Sequence, residues 1–310
     1  MMSSSGRTHP NSPDRLRPIV DALRTGEGDQ AFDRCSALLA RTPDDPALIH
    51  LSVLAAWAAR RMDQAEQLAQ RSLALRPDHT PTLILLARAA RAQDHTATAL
   101  DAARLATRLA PDQAEPAFLL CVLLLKAGDP AAHDMLGSLV AKFPREARGW
   151  EDIGQVLAQA GKTEAALLCL SRASEVAPSF SLAMHRGVLS RDLGRVAEAL
   201  ESFEQAVTLN PRSTRAWFLL GLCRQDHRML PSAAEAYRTA LTIDPTLAEA
   251  FVNLGTVLQE TGNLSGAKAA YGSAVQLRDD TFGRVAQAMT SSPKGELWLN
   301  LAALRHNLTR

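Results

Sequence analysis

Apolar residues recur at helical spacing along the chain, in pairs of stripes that are separated by short polar turns. One stripe contains Trp217 and Leu220, and the next contains Ala233, Tyr237 and Ala240. Intervals of three and four residues place such side chains on one face of an α-helix, and the polar segment DHRMLPS between the two stripes is typical of a turn. The pattern therefore predicts a helical hairpin.

Prolines recur at the ends of these hairpins at intervals of 33 or 34 residues, and one further step of 34 from the last proline reaches Asp279. The prolines are Pro43, Pro77, Pro111, Pro144, Pro178, Pro211 and Pro245. Proline lacks a backbone N–H and disfavours helical geometry at the preceding residue, so each proline is expected to end the second helix of a hairpin. This regularity predicts an internal repeat.

The repeat resembles the tetratricopeptide repeat, whose signature is W-x2-L-G-x2-Y, then A-x3-F, then P, over 34 residues. The match is strongest in the copies that begin near Trp217 and Phe251, whereas the upstream copies keep the spacing with smaller residues such as Ala87 and Ala103. The resemblance implies an all-α, right-handed superhelical solenoid of about eight hairpins over residues 13–279. It also implies a concave groove that is lined by the first helix of each hairpin.

The two ends differ from the repeats. Residues 1–12 are rich in Ser, Pro, Gly and His, which predicts a disordered tail. Residues 280–310 contain short apolar helical segments, and we expect them to form a helical cap over the last hairpin, because terminal repeats must shield an otherwise exposed apolar face. The same segment could instead dock another subunit, including a second copy of the chain.

The overall charge provides no broad field for a polyanion or a membrane surface. The chain has 34 basic and 33 acidic side chains, a formal charge of +1. The longest apolar run, residues 117–125, is too short for a bilayer, and the first residues lack a hydrophobic signal core. These features predict a soluble, cytoplasmic protein. The four cysteines are widely scattered, which indicates neither a disulfide framework nor a zinc cluster.

No motif for catalysis or cofactor binding occurs in the sequence. Gly161, Lys162 and Thr163 resemble the end of a phosphate-binding loop, but Val156 stands where its first glycine is required. The eight histidines show no metal-ligand spacing. The sequence therefore predicts a non-enzymatic protein without a cofactor or a metal site.

The register of the repeats selects candidate residues for the concave face, where arginines alternate with apolar side chains. They are Trp57, Arg88, Arg91, Phe118, Arg148, Arg191, Arg215, Phe218, Asn253 and Gln259. Guanidinium groups bind carboxylates in a bidentate manner, so this surface favours an acidic peptide with hydrophobic anchors. The alternative is an ordinary solvated helix face in a chain rich in arginine.

Some members of the family bind a chaperone's C-terminal carboxylate through a clamp of Lys, Asn, Asn, Lys and Arg side chains. Asn253 lies where the resemblance would place one clamp asparagine. The preceding repeat has Phe218 and Leu222 in place of the lysine and the other asparagine. Binding of that type is therefore disfavoured.

The leading functional hypothesis is a scaffold or adaptor that binds a segment of a partner protein in the groove. The alternative is a docking or regulatory subunit of an enzyme assembly, of transferase or oxygenase type, whose catalytic domain is on another chain. Binding of nucleic acid through the arginines is less favoured, because the sequence has only two tyrosines, four tryptophans and eight phenylalanines for base stacking.

Overall fold

The computed structural model describes residues 15–291 and 301–309, and within them the chain is all α-helical without a strand, which confirms the predicted fold class. The first helices are α1 Arg17–Arg24, α2 Gly28–Leu39, α3 Pro46–Ala58, α4 Met62–Leu75, α5 Thr80–Ala92, α6 Thr96–Leu109, α7 Ala114–Ala127, α8 Ala131–Lys142 and α9 Ala147–Gln159. They continue as α10 Thr163–Val176, α11 Phe180–Asp192, α12 Val196–Leu209, α13 Thr214–Asp226, α14 Leu230–Ile243, α15 Ala248–Glu260, α16 Leu264–Leu277, α17 Phe282–Ser291 and α18 Leu301–Thr309. The chain divides into two compact units, unit 1 up to Val156 and unit 2 from Leu157.

In unit 1, consecutive helices pack as pairs, α1 with α2, α3 with α4, α5 with α6, and α7 with α8. The second helices α2, α4 and α6 also pack on the first helix of the next pair. The core between these helices combines alanines with leucines, and the small side chains include its most deeply buried positions. Val53, Ala69, Ala87 and Ala103 are completely buried in one hydrophobic cluster. Small residues allow two helix backbones to approach closely at native packing density.

Unit 2 repeats the same pairing in α11 with α12, α13 with α14, and α15 with α16, but with aromatic rings inside the pairs. Phe203, Tyr237 and Tyr271 are all completely buried. Each ring lies against a glycine of the preceding helix, and a Cβ added to Gly221 would lie 2.7 Å from the ring of Tyr237. The glycine supplies the space that the ring occupies.

The turn inside a hairpin requires a left-handed backbone at one residue after the first helix. Glycine provides it at several turns, with φ of 69° at Gly128 and 87° at Gly262. Arg60, Asp94 and Arg228 adopt the same conformation at the corresponding turns, with φ of 57°, 59° and 60°. A side chain makes this conformation unfavourable by about 1–2 kcal/mol, so the surrounding helix pair imposes the turn there.

Only part of the two ends falls in the described residues. The tail predicted at residues 1–12 lies outside them, as does the segment between α17 and α18. The described part of α18 packs on α16, burying Leu304 and Leu308 in the core of unit 2. The carbonyl oxygen of Leu308 lies so close to Gly272 that an added Cβ would be 2.4 Å away.

The cysteines lie buried in helices of the two units. Burial raises the pKa of the thiols of Cys35 and Cys223, and that of Cys169 to about 11, which keeps these thiols in the less reactive protonated form. None of the described helices combines the length and the apolar character needed to cross a bilayer.

Candidate functional site

A cavity of unit 1 has a volume of about 340 Å³ and is lined mainly by the first helices of successive pairs, α3, α5, α7 and α9. We call it the α7 cavity. Its lining residues are Trp57, Arg88, Arg91, Glu115, Phe118, Leu119, Val122, Glu146, Arg148, Gly149 and Asp152. Five of the residues predicted for the groove, Trp57, Arg88, Arg91, Phe118 and Arg148, are therefore brought together in one place.

Helical periodicity explains why these side chains share a surface. Arg88 and Arg91 are three residues apart on α5, whereas Phe118 and Val122, and likewise Arg148 and Asp152, are four residues apart. Residues at these spacings lie on the same side of a helix. The opposite side of α5 is buried in the core through Leu83, Leu86, Ala87 and Ala90, so the charged side chains face the cavity.

The floor of the α7 cavity is apolar and tightly held. Phe118 is only 3% exposed, and its ring contacts Trp150 edge to face at a centroid distance of 5.1 Å. The indole nitrogen of Trp150 donates a hydrogen bond to the carbonyl oxygen of Phe143. A Cβ added to Gly149 would lie 2.3 Å from the Phe118 ring, so only glycine fits there. This packing fixes the floor in one arrangement.

The charged groups around this floor are balanced in sign, with three arginines and three carboxylates. Arg88 forms an ion pair with Glu115 at 2.7 Å, and both side chains are partly exposed. Within the described residues, Arg91, Arg148, Glu146 and Asp152 form no ion pair. These four charged groups are therefore available to a bound molecule.

The three carboxylates were not among the predicted groove residues, although the sequence contains a signal for two of them. Glu115 precedes Phe118 by three residues, and Asp152 follows Arg148 by four residues. Either interval places the acid on the surface that carries its predicted neighbour. Glu146 precedes the first residue of α9, and helical periodicity gives no information about it.

A second cavity adjoins the first at Arg91, which lines both. It has a volume of about 270 Å³ and is also lined by Asp94, Thr96, Leu123, Lys126 and Ala127. The recess on this side of unit 1 therefore extends from α3 to the turns of the α5–α6 and α7–α8 hairpins.

The remaining predicted residues lie in unit 2 and have different environments. Arg215 is exposed, and Arg191 is partly buried. Phe218 packs on the ring of Tyr237 at a centroid distance of 5.8 Å. Asn253 is partly buried and lies near the Tyr237 hydroxyl.

Gln259 lies inside unit 2. Its side chain is 3% exposed, accepts a hydrogen bond from the Tyr271 hydroxyl at 3.0 Å and donates one to the carbonyl oxygen of Ala288. Its hydrogen bonds are thus made within the core.

Unit 1 also contains a pair of histidines that bridges two successive hairpins. The rings of His50 on α3 and His79 before α5 are 4.8 Å apart, and each Nδ1 lies within hydrogen-bond distance of the Thr82 hydroxyl. Burial, with the nearby charges of His79 and Arg76, lowers the pKa of His50 to about 4. Burial and Arg76 also lower the pKa of His79. In the described part of the chain, no three His, Cys, Asp or Glu side chains are grouped so as to hold a metal ion.

Sequence models of the tetratricopeptide repeat match residues 122–179, 186–248 and 248–281. No curated protein matches the sequence. A chain of the APC/C hetero-tetramer Cut9–Hcn1 is similar in structure, with a TM-score of 0.52 and 18% identity over 80% of this chain and 50% of that one. At this identity the similarity concerns the fold alone, and this chain spans about half the length of its counterpart.

Two other solved structures have lower scores. YrrB, described as a tetratricopeptide repeat protein with an unusual peptide-binding site, has a TM-score of 0.48 and 18% identity over 68% of this chain and 93% of its own. MamA from Desulfovibrio magneticus RS-1 has a TM-score of 0.43 and 21% identity over 52% of this chain and 92% of its own.

Proposed function

Because the chain belongs to the tetratricopeptide repeat family, we propose that it is a protein-interaction scaffold that holds a segment of a partner protein in the α7 cavity. The observation that supports this most strongly is the combination of a rigid apolar floor with charged groups that lack an ion pair. Phe118 and Trp57 offer apolar contact, while Arg91 and Arg148, and the carboxylates of Glu146 and Asp152, can pair with charged groups of the bound segment.

Several features of the α7 cavity suit a peptide. Its lining comes from the first helices of successive pairs, so a bound chain would cross the helices and contact each in turn. Its volume of about 340 Å³ lies within the range of small-ligand sites, and the adjoining cavity at Arg91 extends the surface for a longer segment. A transient scaffold of this kind is expected to bind with micromolar affinity, about 8 kcal/mol.

The proposal is tested by selecting displayed random dodecapeptides on the full chain and titrating the enriched peptides in solution. The double variant Arg91→Ala with Arg148→Ala should weaken binding at least tenfold, because it removes the unpaired guanidinium groups of the α7 cavity. The matched control is Arg212→Ala with Arg238→Ala, which removes the same charge from exposed positions of unit 2. This control should stay within twofold of the unmodified chain.

Two results would contradict the proposal. The selection could enrich no peptide that binds in solution, or the cavity and control variants could weaken binding equally. Circular dichroism of both variants checks that the helical content is unchanged.

A further inference from the structure

The charges of the α7 cavity are distributed unequally between its two sides. The α5 side contributes Arg88 and Arg91, and the charge of Arg88 is compensated by Glu115 at 2.7 Å. Arg91 therefore remains as the uncompensated charge of that side. The α9 side contributes Glu146 and Asp152 against a single arginine, Arg148, so a net negative charge remains there.

The apolar floor lies between these two sides. Phe118, Leu119 and Val122 on α7 line the cavity, and all three are buried. Gly149 of α9 lies directly against the Phe118 ring, and α5 packs on α7. A chain that crosses the cavity from α5 to α9 therefore meets a positive group, an apolar surface and a negative region in that order.

From this order we propose that the segment bound in the α7 cavity carries an apolar side chain between a carboxylate and a basic side chain. The carboxylate pairs with Arg91, the apolar side chain rests on Phe118 and Val122, and the basic side chain faces Glu146 and Asp152. This inference rests on the proposed function and specifies the chemistry of the partner.

Helix geometry sets the spacing of the two charges in the segment. Packed helices lie about 8–10 Å apart, so two steps, from α5 to α7 and from α7 to α9, amount to about 16–20 Å. An extended chain advances about 3.3 Å per residue, so crossing the three helices takes about five or six residues, and the carboxylate and the basic side chain are at least that far apart in the segment.

A uniformly acidic segment fits the α7 cavity less well. It would satisfy Arg91, but it would also place a carboxylate beside Glu146 and Asp152, and like charges in contact oppose binding. The arginines alone favour an acidic peptide. With the carboxylates included, the α7 cavity favours a segment of mixed charge. The same argument disfavours a uniformly basic segment at Arg91.

The test uses three synthetic decapeptides of serine and glycine with a central leucine and two charged residues five positions apart. The charged pair is Asp and Lys in the first peptide, Asp and Asp in the second, and Lys and Lys in the third. Each is titrated at low salt against the full chain, against Arg91→Glu, and against the double variant Glu146→Lys with Asp152→Lys.

The unmodified chain should bind the mixed peptide at least tenfold more tightly than the other two. Arg91→Glu should prefer the Lys and Lys peptide, and the α9 double variant should prefer the Asp and Asp peptide. All preferences should diminish as salt is added, because these groups are partly exposed. Arg91→Gln serves as a milder variant and should lose the preference for the mixed peptide without acquiring the reversed one.

A preference of the unmodified chain for the Asp and Asp peptide, or equal affinity for all three, would overturn the inference. The proposed function would survive that result if peptides from the random selection still depended on Arg91 and Arg148. Absence of binding by every designed and selected peptide would overturn both.

Discussion

Unit 1 and unit 2 contain the same kind of helix pair, but the side chains that face each other inside the pair differ in size. In unit 2, Gly221 faces Tyr237 and Gly255 faces Tyr271, and a Cβ on either glycine would lie within 2.7 Å of the ring. In unit 1, Ala87 and Ala103 have the same separation of 16 residues as Gly221 and Tyr237, and both are completely buried. In unit 2, a glycine thus faces a large aromatic side chain, whereas in unit 1 two alanines occupy the corresponding positions.

This difference explains why the repeat is easy to recognise in one region and weak in the other. The family matches cover residues 122–179 and 186–281, and the second of these ranges contains the glycine and aromatic pairs. The helices α3 to α6 lie outside that range, yet they pack as pairs in the same manner. The signature therefore describes one of two ways of filling the space between paired helices at native density.

The largest expected effect comes from removing an aromatic ring of unit 2. Tyr237→Ala should lower the free energy of unfolding by about 3–5 kcal/mol, because a completely buried ring is lost and the neighbouring glycine cannot fill the cavity. The hydroxyl of Tyr237 donates a hydrogen bond to Gln225 at 2.8 Å, which is lost as well. Urea denaturation of the full chain, followed by circular dichroism, measures the change.

Two variants separate the contributions to this effect. Tyr237→Phe removes only the hydroxyl and should cost about 1 kcal/mol. Ala103→Gly, at the corresponding position of unit 1, removes a single methyl group and should also cost about 1 kcal/mol. If Tyr237→Ala cost no more than Ala103→Gly, the two units would not differ in how they fill the space between paired helices.

A smaller loss is expected from filling the space beside a ring. In Gly255→Ala the new Cβ would lie 2.5 Å from the ring of Tyr271, which is completely buried and hydrogen-bonded to Gln259. Because the ring has no room to move, the free energy of unfolding should fall by about 1–3 kcal/mol. The control is Gly283→Ala on α17, where an added Cβ meets nothing within 4 Å.

Gly283→Ala should change stability by less than about 1 kcal/mol, in the stabilising direction, since alanine favours a helix. Equal losses in the two glycine variants would show that the helix backbone, and not contact with Tyr271, requires glycine at position 255.

Much of the fold followed from the sequence, because the determinants of a repeat are local and recur. The positions of the prolines and the apolar stripes were sufficient to predict an all-α chain of helix pairs. The turns were less predictable: Arg60, Asp94 and Arg228 adopt a left-handed backbone that favours glycine. Their conformation is imposed by the packing of the hairpin, which no single residue reveals.

The candidate site was only partly predictable, for a different reason. Helical periodicity identified the arginines of the α7 cavity, but the charge balance depends on Glu115, Glu146 and Asp152, which come from separate elements. Periodicity also selected Gln259, which lies in the core because α17 covers it. Whether a residue on a first helix faces solvent depends on what else packs there.

The smallest expected effect concerns the loss of folding stability at low pH, to which His50 of unit 1 contributes. At the corresponding repeat positions, unit 2 has the apolar residues Met184, Phe218 and Val252. Since the pKa of His50 falls from 6.5 to about 4 on folding, the unfolded chain binds more protons between these values. The stability due to neutral His50 is therefore complete above about pH 6.5 and is lost as the pH falls towards 4.

The variant His50→Gln should reduce the drop in the urea midpoint of unfolding between pH 7 and pH 4.5. His79, whose pKa is also lowered, should contribute part of the drop that remains. An unchanged drop would mean that neutral His50 does not stabilise the contact between the two hairpins.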